Sequence, residues 1–249
     1  MTPGMRGMKR YLGLGLAALI ALGSGGPAWS GNVELCRHHQ FDSGARLKNA
    51  IAVAVDETDR RLYVSGYNSH NILLYDLDAR GVVHQTTGIH YPHIVRFHPV
   101  SQKVVALGFD ENWNGLLVVY DKHLRELHRV VLGYYPYSAL LSEDGRTAYV
   151  GVYNQIVAVN LEDGVSSTFV SLGSVPYSYP FAMAMDPSRG RLLAVGTGWV
   201  NNGQEWVLRS AVIPIGMADR QLGPELVLGD RLYSYDAALD RDELFIANI

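Results

Sequence analysis

A chain of 249 residues, 48% of them hydrophobic and 18% charged, has the composition of a folded globular protein, which excludes an intrinsically disordered one. A net charge of -3, with the basic residues scattered along the chain, excludes the dense positive footprint that nucleic acid or an anionic membrane demands. A single cysteine, Cys36, excludes an internal disulfide framework.

Residues 1–30 read as a secretory signal peptide. Arg6, Lys9 and Arg10 supply its positive region, Tyr11 to Leu22 is a 12-residue apolar run, and Ala28-Trp29-Ser30 is a small-x-small cleavage signal. A run that short cannot cross a bilayer as a helix. The mature chain is therefore expected to be periplasmic or secreted with no membrane span, an uncleaved anchor being the alternative. Val33-Glu34-Leu35 before Cys36 is not a lipoprotein box, so no lipid anchor is expected. Residues 31–48 form an N-terminal segment in which Cys36, His38 and His39 fall short of a metal-ligand set.

From Asn49 onward the chain repeats. Second strands end at Gly66, Gly108, Gly151, Gly196 and Asn248, spaced by 42, 43, 45 and 52 residues. Each unit opens on an apolar run, Ile51 to Val55, Ile94 to Phe97, Ala139 to Leu141 and Ala182 to Met185. A tight turn follows, DETDRR, HPVSQK, SEDGR or DPSRGR, in which Asp and Ser bond their own backbone. A second strand, an alternating third strand (NILLYDLD, GLLVVYDK, QIVAVNLE) and a fourth (GVVHQTTG, LHRVVLG) complete the unit. Asp76, Asp121 and Asn160 recur after the third strand and are expected to cap turns. Four short strands at this period predict an all-β fold, a β-propeller of four-stranded blades. About five units are recognisable, at 49–92, 93–136, 137–180, 181–232 and a partial 233–249.

The stretch PYSALLSEDGRTAYVGVYNQIVAVNLEDG, Pro136 to Gly164, carries a resemblance. Its proline, apolar strand, Asp-Gly turn and Tyr149-Val150 are similar to the YVTN-type β-propeller repeat of bacterial exported proteins, and Tyr63-Val64 matches the same core. Val105-Ala106, Ala194-Val195 and Phe245-Ile246 are looser versions. The resemblance implies a ring of about seven blades. Two explanations of the smaller number stay open: residues 31–48 supply strand material that closes a small ring, or the propeller is truncated. The resemblance implies no particular reaction, since binding, surface and enzymatic members share the scaffold.

Connections in a blade alternate between two faces. One face is expected to hold only short polar turns. The other collects the Tyr-Pro segments, whose prolines Pro92, Pro136 and Pro180 are spaced by 44 residues, and two longer loops, DENWNG and GWVNNGQEW. The candidate ligand-binding residues are His90, Tyr91, His93, Trp113, Asn114, Tyr135, Tyr137, Tyr179, Phe181, Trp199, Asn202, Trp206 and Tyr233. Flat rings stack on a ligand face and amides bond its hydroxyls or peptide groups, so a glycan, peptide or protein ligand is expected. The competing account is that the residue after each proline packs into the next blade.

His70, His90 and His93 fall on one rim while His98 falls at the opposite turn, so neither a metal nor another cofactor is expected. No nucleophile elbow, dinucleotide fingerprint or phosphate loop occurs. Asp110, Glu111 and Glu205 with His93 are the available acid and base groups. A binding or interaction module is the leading expectation, a lactonase- or lyase-type propeller enzyme the alternative, and no catalytic residue is assigned.

Overall fold

The computed structural model of the protein describes residues 46–177, 179–230, 234–240 and 243–248. The expected signal peptide, Cys36 and Tyr233 lie outside the described residues.

Eighteen strands form five antiparallel sheets among the described residues. The first holds β1 (Ala50–Asp56), β2 (Arg61–Gly66), β3 (Asn71–Asp76) and β4 (Gly81–Gln85), paired in that order. The second holds β5 (His90–His98), β6 (Lys103–Phe109), β7 (Gly115–Asp121) and β8 (Glu126–Val131). The third holds β9 (Pro136–Leu141), β10 (Thr147–Val152), β11 (Gln155–Asn160) and β12 (Ser166–Ser171). The fourth holds β13 (Tyr179–Asp186), β14 (Arg191–Asn201), β15 (Trp206–Gly216) and β16 (Leu226–Asp230), and the fifth pairs β17 (Ser234–Asp240) with β18 (Glu243–Asn248). These sheets are the blades of a propeller.

The alternation of side chains along a strand explains why the runs are so apolar. Val104 and Ala106 of β6 point into the core shared with the first blade, whereas Val105 and Leu107 point into the core shared with the third. A strand buried on both faces reads as a continuous hydrophobic run. Similar cores join the third blade to the fourth and the fourth to the fifth. Each Leu or Ile fully buried there contributes about 1.5–3 kcal/mol.

The first strands of neighbouring blades lie side by side, β1 with β5, β5 with β9, β9 with β13, and β13 with β17. Arg96 Nη2 of β5 also sits 3.9 Å from Asp236 Oδ1 of β17, so the row of blades curls about a common axis.

The lower face, built from turns after first and third strands, is held largely by its own hydrogen bonds, although Asp56 Oδ2 and Arg61 Nε and Nη1 are buried there with no hydrogen-bond partner among the described residues. Asp76 Oδ1 accepts from the amides of Asp78 and Ala79, Asp121 Oδ1 from those of His123 and Arg125, and Asn160 Oδ1 from that of Glu162, which are the expected caps. Further bonds tie blade to blade. Lys103 Nζ, nearly buried, donates to the Leu161 carbonyl at 2.9 Å and pairs with Glu162 at 2.6 Å, while Lys122 Nζ reaches back to Asp59 at 2.8 Å. His98 Nε2 lies 3.1 Å from the Glu143 carbonyl oxygen.

Glycine at the end of the second strand has a steric cause. A Cβ on Gly151 would lie 2.6 Å from the Pro180 carbonyl oxygen, and one on Gly108 2.6 Å from that of His90. The backbone of a Tyr-Pro segment crosses closely there, and only a residue without a side chain admits it.

One sequence expectation is corrected here. GWVNNGQEW is not a long loop: β14 runs to Asn201 and β15 starts at Trp206, leaving Asn202–Glu205 as the turn. Trp199-Val200-Asn201 and Trp206-Val207-Leu208 alternate with period two, so the hairpin extends through them with Trp199 opposite Leu208 and Asn201 opposite Trp206.

Candidate ligand-binding face

The upper face is built at the starts of the first strands. In each blade the pairing of first and second strand slips at the same place: between Ala50 and Ala52, His90 and Ile94, Pro136 and Ser138, Pro180 and Ala182, and Ser234 and Asp236. A bulge re-aims the side chain it carries. In three blades the residue after the Tyr-Pro step sits there: His93, Tyr137 and Phe181.

The proline carbonyls next to these bulges clasp neighbouring blades. His93 Nε2 lies 2.7 Å from the Pro136 carbonyl oxygen, and the buried Ser138 hydroxyl donates to that of Pro180 at 2.6 Å. The 44-residue beat is thus a repeated inter-blade fastening.

Around the fastenings the rings touch in sequence. Tyr67 meets Tyr91 at 5.0 Å between centroids, and Tyr91 stacks on Trp113 at 5.0 Å with planes 22° apart. Trp113 meets Phe109 at 5.6 Å, Phe109 meets Tyr135 edge-on at 4.9 Å, and Tyr135 meets Tyr137 at 5.1 Å. Tyr137 is edge-on to Phe181 at 4.9 Å and to Tyr179 at 5.7 Å. Tyr179 meets Tyr153 at 5.7 Å, which stacks with Tyr134 at 5.6 Å. An unbroken aromatic track therefore crosses from the first blade to the fourth. Its rings are not all core: Trp113 is 64% exposed, Tyr135 45% and Tyr153 44%.

The track joins six of the predicted residues, Tyr91, Trp113, Tyr135, Tyr137, Tyr179 and Phe181, and His93 packs against it through Tyr135 at 5.4 Å. His90 lies at its margin, 5.2 Å from His70. Asn114 braces the loop, its amide nitrogens donating to Asp110 at 2.8 and 2.9 Å. Asn202 Oδ1 accepts from Gln204 and Glu205 amides and so caps its hairpin turn. Trp199 and Trp206 project from one face of that hairpin, both more than half exposed, and neither has a ring contact with the track. Sequence reasoning missed Tyr67, Phe109 and Tyr153. Each stands within two residues after the glycine of a second strand, GY, GF and GVY, and that position is the signal that would have found them.

The electrostatics are quiet. Burial holds the His93 imidazole below its ordinary pKa, against the opposing pull of the Pro136 and Tyr91 carbonyls. Burial likewise raises the Tyr135 and Tyr137 phenols, helped by neighbouring phenols, so both stay neutral. Hydrogen bonds from Asn114 and the Asn112 amide keep Asp110 ionised below the usual carboxylate range. Among the described residues no three His, Cys, Asp or Glu side chains converge as a metal would require.

No protein-family model and no curated sequence matches the chain. Among solved structures it is similar to the hydrazine synthase of Kuenenia stuttgartiensis, at 16% identity and a TM-score of 0.62, covering 83% of this chain and 55% of that one. It is also similar to a chain of a nidogen/laminin complex, at 14% identity and a TM-score of 0.57, covering 81% and 72%. The chain is a β-propeller. Both neighbours contain propellers, and at such identities the likeness concerns fold alone. The chain spans about half the length of the hydrazine synthase chain it matches. No described helix is long and apolar enough to cross a membrane.

Proposed function

We propose that the propeller is a ligand-binding module whose ligand lies along the aromatic track of its upper face. The observation that carries this reading is the track itself, ring after ring at 4.9–5.7 Å, with indole and phenol surface left open to solvent. Trp113 strengthens it. Its backbone is left-handed, φ 63°, where glycine would be relaxed and a bulky side chain is strained by about 1–2 kcal/mol. The ring there is 64% exposed and stacks on Tyr91, which leaves a flat face open to a ligand.

Two of the acid and base groups that an enzyme could use, His93 and Asp110, are engaged elsewhere. Both His93 nitrogens face carbonyl oxygens, and both Asp110 oxygens accept hydrogen bonds within their loop. A binding module fits this arrangement better than a lactonase- or lyase-type site. Kinship with the YVTN-type repeat and export to the periplasm or beyond belong to the same proposal, resting on Tyr149-Val150, Tyr63-Val64 and the signal-like leader.

The test is a panel of immobilised oligosaccharides and peptides probed with the whole protein. One ligand class should bind, and Trp113→Ala with Tyr135→Ala should weaken it at least about tenfold without lowering the melting temperature. Binding to nothing, or binding indifferent to both substitutions, overturns the reading.

A further inference from the structure

The two faces differ sharply in charge. The lower turns carry Arg60, Arg80, Lys122, Arg125, Arg146, Arg189 and Arg220, whereas the upper loops within 67–70, 86–89, 110–114, 132–135, 153–154, 172–177 and 202–205 contain no lysine or arginine. Their charged side chains are Asp110, Glu111 and Glu205. The arginines that reach this face, Arg129 at the Gly88 carbonyl and Arg209, are paired with Glu126 and Asp230, and Arg46 and Lys48 stand at its first-blade margin beside the 67–71 loop, so an anionic ligand over the exposed rings would meet mainly those carboxylates.

Hydrogen-bonding capacity narrows the choice further. The phenols of Tyr135 and Tyr137 form no hydrogen bond within the described protein and are held neutral, so each donates and accepts. Asn112, exposed beside Trp113, and Asn154, half-buried beside Tyr153, add amides with the same dual capacity. A proline-rich peptide offers carbonyl acceptors and few donors, which matches only half of that surface. A strand-like peptide needs a free backbone edge. Each of the first four sheets ends on a first and a fourth strand, and the exposed rings Trp113, Tyr135 and Tyr153 stand on loops rather than along either edge. Sugar hydroxyls donate and accept, and sugar rings present flat C–H faces to aromatic rings.

We propose that the upper-face track binds a neutral oligosaccharide, extended over several sugar units, with Trp113 and Tyr135 as stacking platforms and Asn112 and Asn154 as amide partners. The inference rests on the binding reading above and deepens it. A chain rather than a single sugar is required because the exposed rings are distributed over successive blades: Trp113 on the second, Tyr135 at the junction with the third, and Tyr153 on the third.

The experiment titrates the whole protein, followed by tryptophan fluorescence and calorimetry, with neutral hexasaccharides (cellohexaose, maltohexaose, chitohexaose), their monosaccharides, a sulfated hexasaccharide and poly-L-proline. At least one neutral hexasaccharide should bind with Kd below about 1 mM and its monosaccharide at least about tenfold more weakly. Trp113→Ala should weaken it at least about tenfold, while Trp113→Phe, which keeps a stacking ring, should stay within a few-fold. If poly-L-proline alone binds, sensitive to Trp113→Ala, the oligosaccharide assignment is overturned and the binding reading stands. If the sulfated hexasaccharide binds more tightly than the neutral ones and salt weakens it, neutrality is overturned. If no probe binds, the oligosaccharide assignment is overturned, and the wider panel described above decides the binding reading separately.

Discussion

The lower and upper faces are made from the same repeat and use the same turn caps and blade-to-blade fastenings, but they differ in what they leave open to solvent. On the lower face Asp76, Asp121 and Asn160 bond their own turns, and Lys103 and Lys122 reach into adjacent blades, so side chains there hold the propeller together. On the upper face His93 and Ser138 fasten blade to blade through the Pro136 and Pro180 carbonyls in the same manner, but much of the surrounding aromatic surface is left open. Both faces hold the blades together, and the upper one alone adds a run of exposed rings. That difference permits the exposed rings to vary chemically without unfolding the blades.

The sharpest break of this contrast is Lys103→Ala. The ammonium is almost enclosed and bonds the Leu161 carbonyl across a blade boundary, so its loss leaves a buried acceptor unpaired and a gap beside it. We expect about 2–3 kcal/mol of destabilisation and a fall in melting temperature of roughly 5–10 °C in a thermal melt, with ligand affinity of the folded protein unchanged. Loss of affinity without loss of stability would put function on the wrong face.

Trp113→Gly reverses the pattern. Removing the side chain relieves the left-handed strain, while glycine adds chain entropy of about 0.5–1 kcal/mol and the contacts with Tyr91 and Phe109 disappear. These terms nearly cancel, so stability should move by less than about 1 kcal/mol in denaturant titration while oligosaccharide binding is lost.

How far these features were legible in the sequence follows from their range. Period-two alternation and Asp-rich turns are local, so the blades and their turn caps could be read directly, as at Asp76 and Asp121. The alternation of Trp199, Val200 and Asn201 was equally local, yet the run of polar residues around it reads as a loop until Val207 is seen buried against its neighbours. The track was only half legible. Its contacts, such as Tyr137 to Phe181 and Tyr91 to Trp113, join residues that strand pairing does not place opposite one another, and the Tyr-Pro beat gives no hint of Tyr67 or Phe109. The beat also concealed its own cause, since a carbonyl that accepts from the next blade's neighbour leaves no mark on side-chain pattern.

His93 gives a smaller effect with a defined sign. Its folded pKa lies below the unfolded value of 6.5, so the imidazole contributes stability that is fully present above pH 6.5 and is lost as pH falls through the folded pKa. The wild type should therefore melt a few degrees lower at pH 5 than at pH 7.5, and His93→Gln should flatten that slope. An unchanged slope in the variant would mean that other groups carry the pH dependence.

The smallest effect is the most useful control. Arg60 and Asp78 form an ion pair on the lower face at 2.7 Å with both side chains more than 60% exposed, at 61% and 68%. Solvent screens such a pair, and holding two long side chains in register offsets most of the attraction. Arg60→Ala should shift the melting temperature by less than about 2 °C and leave binding of a neutral hexasaccharide untouched. The same substitution decides between a neutral and an anionic ligand from the opposite side of the molecule. Most of the cationic charge of the described turns lies on the lower face, so an anion would be drawn there, and a measurable loss of binding in Arg60→Ala would move the site to the basic turns and away from the rings.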